Sequence, residues 1–75
     1  MEEQIEEKLN EIYNFGISVK FKDFRQYNIY CRIDNEKAFE IPILLDARGT
    51  FESNIYNICL KIDKEIINLY KKKVI

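Results

Sequence analysis

Apolar residues recur at two different periods along this chain, and the changes of period divide it into five elements. Over residues 2–14, Ile5, Leu9, Ile12 and Tyr13 return at three- and four-residue steps among glutamates, which predicts an amphipathic helix. Asn14-Phe15-Gly16 is expected to close it, with Gly16 in the left-handed conformation that ends many helices and Phe15 packed back over the last turn. From 17 to 24 the period falls to two, with Ile17, Val19 and Phe21 on one side and Ser18, Lys20 and Lys22 on the other. The same alternation runs through 27–33 (Tyr27, Ile29, Cys31, Ile33) and through 38–45, where Phe39, Ile41, Ile43 and Leu45 are apolar. Asp34-Asn35-Glu36-Lys37 has the residues of a turn, whereas the turn over 23–26 lacks both glycine and proline. Pro42 cannot donate to a ladder, so its strand should lie at an edge or carry a bulge. Finally Phe51, Ile55, Ile58, Ile62, Ile66 and Leu69 step by three and four to about Lys72, a long helix with Thr50 or Ser53 as N-cap.

The order α-β-β-β-α predicts a single α+β domain over residues 1–75: a three-stranded antiparallel meander with both helices packed on one face. A final helix of some 22 residues would be about 33 Å long at about 1.5 Å per residue, against about 23 Å for a seven-residue strand. It should therefore project past the sheet by about two turns. The overhang carries Ile66, Ile67, Leu69, Tyr70, Val74 and Ile75, and apolar residues beyond their own sheet call for another surface.

Composition narrows the chemistry more than the fold. There is no histidine, the commonest general base near neutral pH and the commonest transition-metal ligand. Cys31 and Cys59 are too few and too far apart for a disulfide scaffold or a zinc site, and each sits on the apolar phase of its element. A non-enzymatic protein without cofactor or metal is expected. The acidic start Met1-Glu2-Glu3-Gln4 is unlike a signal peptide, and no apolar run approaches a membrane span, so a cytoplasmic protein is expected. Charge is asymmetric: residues 1–11 carry five acids against Lys8, and residues 61–75 five lysines against Asp63 and Glu65. Helix electrostatics account for that placement. Thirteen isoleucines and nine lysines against three arginines suggest a low-GC genome or a virus of such a host.

Two surfaces are candidates for binding a protein partner or a second copy of the chain. One is the end of the last helix, Ile66, Ile67, Leu69, Tyr70 and Val74; the other is the open sheet face, with Lys20, Lys22, Tyr30 and Arg32 alongside Asn28, Glu40 and Leu44. Cations around a tyrosine can also stack on nucleic acid, the alternative function, although a pI near 5.4 supplies no long-range attraction to phosphate. Arg48 and Thr50, in the loop leading to the last helix, could hold an anion at its N-terminus.

The element order resembles that of the double-stranded RNA-binding domain. That family relies on a lysine-rich start to its second helix, where this chain has Thr50-Phe51-Glu52-Ser53-Asn54, so no binding residue carries over. In order, size and composition the chain is also similar in outline to some phage-encoded anti-CRISPR proteins. That similarity implies a small phage or mobile-element protein that binds and modulates a host factor.

Overall fold

The computed structural model describes residues 1–71. Two helices and three strands follow one another as α1 (Glu2–Ile12), β1 (Gly16–Asp23), β2 (Gln26–Arg32), β3 (Ala38–Leu44) and α2 (Phe51–Lys71). The strands form an antiparallel meander in the order β1-β2-β3. In register, Ile17 faces Cys31 and Val19 faces Ile29, while Ile29 faces Ile41 and Tyr27 faces Ile43. Odd-numbered side chains thus form one continuous apolar sheet face. Ile5 and Leu9 of α1 and Ile55, Ile58 and Ile62 of α2 close over it, and all of them are buried. No polar or charged residue is buried among the described residues.

The α1 helix ends without help from glycine. Tyr13 turns extended (φ −109°, ψ 150°), its N–H still donating to the Leu9 carbonyl, and Gly16 opens β1 with no positive φ. A left-handed Gly16 is therefore corrected: the chain leaves the helix through an extended residue and needs no reversal there. Tyr13 instead anchors the junction, its hydroxyl donating to Asp63 Oδ1 at 2.7 Å and to the Cys59 carbonyl at 3.3 Å on α2. Phe15 packs against the core beside Tyr13, ring centroids 5.2 Å apart.

The glutamates of α1 have a structural use that periodicity did not reveal. Glu2, Glu6 and Asn10, each four residues on from the last, lie along the outer edge of β1 and accept its outward-pointing N–H groups. Phe21 N–H donates to Glu2, Val19 N–H to Glu6 Oε1 at 2.8 Å, and Ile17 N–H to Asn10 Oδ1 at 3.1 Å. The Asn10 amide also donates to the Ile17 carbonyl at 3.0 Å. An exposed strand edge is a template for unwanted pairing, and here a helix covers it with side-chain acceptors. Because the backbone N–H groups of the odd residues of β1 point off the sheet edge, even residues bond to β2 and odd residues of β2 bond to β3. Pro42, opposite Asn28, therefore belongs to the set facing away from the sheet, and its missing N–H costs no ladder bond.

Phe21 is a correction. Expected in the core, it is 53% exposed, because it lies where α1 begins and no helix reaches over it; its ring stands edge-on to Tyr27 at 5.4 Å. The turns divide in character. Asp34 Oδ1 accepts the N–H groups of Glu36 and Lys37, the expected side-chain-to-backbone turn. Those two backbone donors, Glu36 first, hold the exposed Asp34 carboxyl below its ordinary pKa. The β1–β2 connection is instead a two-residue turn, Phe24-Arg25, preceded by a bulge at Lys22.

Candidate functional site

On α2, Thr50 is the N-cap: its Oγ1 accepts the Ser53 N–H at 3.0 Å. Asn54 clips the helix to the preceding loop, its Oδ1 accepting the Asp46 N–H at 2.8 Å and its amide donating back to the Asp46 carbonyl at 3.2 Å. Arg48 stands exposed, its N–H donating to Asp46 Oδ1. With Thr50 Oγ1 spent on the cap, this loop is held mainly by its own groups.

The expected overhang of α2 is shorter than its length suggests. Ile66 packs against the core and Leu69 is half-buried, because the β2–β3 connection carries the sheet further, with Ile33 N–H donating to the Lys37 carbonyl at 2.8 Å. The Lys37 ammonium lies 5.3 Å from the centre of the Tyr70 ring. Ile67 and Tyr70 remain exposed; Val74 and Ile75 lie outside the described residues. These two extend a second apolar stripe on α2 that runs the length of the helix. Tyr56 (64% exposed), Leu60 (50%), Ile67 (57%) and Tyr70 (47%) are spaced by four, seven and three, with Asp63 on the intervening position. That is the a/d spacing of a coiled-coil seam, set apart from the buried stripe of Ile55, Ile58 and Ile62. Asn57, Lys64 and Lys71 border it on the solvent side, and Cys59 and Ile66 on the core side. Beside its first half the seam falls into a cleft of about 360 Å³ between α1 and α2, whose lining includes Ile12, Phe51, Tyr56 and Cys59.

On the open sheet face Lys20, Lys22, Tyr30 and Arg32 are all exposed, Lys20 diagonal to Tyr30 across the β1–β2 ladder and Arg32 two residues on from it. Tyr30 lies between Ser18 and Glu40, Lys20 beside Asn28, and Arg32 between Gly16 and Ala38. Glu40, opposite Tyr30, offsets part of the positive charge of Lys20 and Arg32 there.

The β1–β2 turn was not anticipated as a site. Phe24 has a φ of 58° and is 75% exposed. Both turn types favoured in two-residue hairpins require positive φ at this first position and normally place Gly, Asn or Asp there. A bulky residue so held costs about 1–3 kcal/mol, and such strain collects at functional sites. Its ring carries the Arg25 guanidinium, 5.2 Å from the centroid. Arg25 Nε is buried with no hydrogen-bond partner among the described residues, and the side chain forms one wall of a cleft of about 290 Å³. Met1, Ile5, Tyr27, Leu45, Phe51 and Ile55 supply its apolar walls. The trace of this site in the sequence is negative: a Phe-Arg pair occupies the position where turn-forming residues belong.

Neither thiol is poised for chemistry. Burial pushes Cys31 up to about 11, and burial likewise raises Cys59. Among the described residues no group of three His, Cys, Asp or Glu side chains could hold a metal ion, and no helix is long and apolar enough to cross a membrane. Compared with protein-family models, curated proteins and solved structures, the chain matches none.

Proposed function

We propose that this chain is a non-enzymatic protein-interaction module that receives an amphipathic helix of a partner protein along the outer seam of α2. The observation that carries this is the exposed stripe Tyr56, Leu60, Ile67 and Tyr70, whose spacing suits knobs-into-holes packing rather than solvent. Its solvent-side flank is basic through Lys64 and Lys71, while its middle position is Asp63, held by the Tyr13 hydroxyl, so the complementary helix has an apolar stripe bordered by acids and interrupted opposite Asp63. A second copy suits the seam less well. In an antiparallel pair the same flanks meet, which sets the lysines of one copy against those of the other, and in a parallel pair they would face the uncharged Cys59 and Ile66. Occupying a partner's helix would modulate that partner without chemistry, the mode expected of a small mobile-element protein acting on a host factor.

The test uses two synthetic helical peptides with leucines at seam spacing, one flanked by glutamates and one by lysines. The acidic peptide should bind at least tenfold more tightly, and its affinity should fall as salt rises. Leu60→Asp with Ile67→Asp should abolish that binding while the circular dichroism spectrum stays unchanged. Equal binding of the two peptides, or a concentration-dependent dimer of the chain that Leu60→Asp dissociates, would refute the proposal.

A further inference from the structure

Around the β1–β2 turn, three features that folding alone does not require meet in one place. Phe24 is held at positive φ, its ring underlies a guanidinium, and that guanidinium has a buried nitrogen without an acceptor. Of the two turn residues it is Arg25 that lines the apolar cleft between the start of α1, the end of β3 and the start of α2, with Phe24 behind it. We propose that this cleft binds a small amphipathic carboxylate, its apolar body against Tyr27, Leu45, Phe51 and Ile55 and its carboxylate on Arg25.

The chemistry of the ligand follows from the walls. An apolar lining favours a hydrocarbon body, and a volume of about 290 Å³ lies at the lower edge of the roughly 300–1,000 Å³ of small-molecule sites. That restricts the body to a single ring or a short chain. A guanidinium is always charged and presents a fork of donors matched to a carboxylate. Asp46 also lines the cleft, but its Oδ1 already accepts the Arg48 N–H at 3.0 Å. Its charge steers a ligand carboxylate to the Arg25 side. The arginine is fixed in advance from two directions. Its own carbonyl accepts the Leu45 N–H at 3.0 Å, which ties the turn to the end of β3, and the Phe24 ring supports the guanidinium from below. A guanidinium positioned before binding loses less freedom when the ligand arrives. On this account the strained backbone at Phe24 serves to place that ring.

The experiment titrates the full chain with 3-phenylpropionate and, separately, with the uncharged 3-phenylpropanol, followed by two-dimensional NMR. The carboxylate should shift the Arg25 Nε–H resonance and the amides of Tyr27 and Leu45 saturably, and should bind at least tenfold more tightly than the alcohol. Arg25→Gln should remove that difference. Phe24→Gly, which relieves the backbone, should weaken carboxylate binding severalfold without lowering the melting temperature. Equal affinities for the two probes, absence of saturable shifts, or undiminished carboxylate binding by Arg25→Gln would each overturn the proposal. The outcome is independent of the helix seam, because Leu60→Asp with Ile67→Asp should leave the carboxylate titration unchanged.

Discussion

Replacing Glu6 by alanine removes the acceptor of the Val19 N–H, a 2.8 Å bond on the outer edge of β1. Glu6 is half-buried and Val19 is buried, so water only partly replaces the lost carboxylate. An unsatisfied buried donor costs about 1–3 kcal/mol, and partial access of water puts the expected loss at about 1–2 kcal/mol. A domain of this length has roughly 4–11 kcal/mol in total, so the loss is a large share of it. At about 4–8 °C per kcal/mol, the melting temperature should fall by about 4–16 °C. Glu6→Gln keeps an acceptor oxygen and should lose less, because a neutral acceptor is weaker than a charged one but not absent. Glu7→Ala, one position on and exposed, should change stability by less than about 0.5 kcal/mol. Thermal melts monitored by circular dichroism rank the three variants, and hydrogen exchange reads the Val19 amide directly. If Glu6→Ala melts with Glu7→Ala and the Val19 amide stays protected, the edge-covering role of α1 is wrong.

Gly16→Ala should be neutral or stabilising by up to about 1 kcal/mol, since Gly16 has no positive φ and an added Cβ meets nothing within 4 Å; a clear fall in melting temperature would count against the extended exit from α1. Tyr13 should ionise well above the ordinary tyrosine range in a spectrophotometric titration, because burial and the Asp63 carboxylate both raise it. Its neutral form is the one favoured in the fold, so that share of stability is present below pH about 10 and is lost above it, and Tyr13→Phe should flatten the alkaline limb of the stability profile. Cys31 should resist alkylation in the native state and react only on unfolding, given its burial and raised pKa; native labelling by mass spectrometry would contradict that.

The alternation of Ile17 and Val19, of Tyr27, Ile29 and Cys31, and of Ile41 and Ile43 is a property of the chain alone. A period of two leaves a pleated strand only one way to bury those side chains. The helical steps of Ile55, Ile58 and Ile62, the N-cap at Thr50, the turn at Asp34 and the edge position of Pro42 are legible for the same reason: each depends on neighbours a few residues away. What the sequence could not state is what lies beside each element in space. Phe21 keeps the phase of a core residue but misses the core, since burial depends on where α1 begins above it. Glu2, Glu6 and Asn10 have the look of a solvated helix face until β1 is placed beneath them. Ile66 and Leu69 belong to the overhang by length and to the body of the domain by contact. Tyr56, Leu60, Ile67 and Tyr70 are apolar residues among others in a string. Only the docking of α2 through Ile55, Ile58 and Ile62 leaves them exposed along one flank of the helix. The strained Phe24 and the Arg25 stacked on it lie furthest from any local rule, because the conformation of that turn is set by two strands already paired and by the cleft behind them.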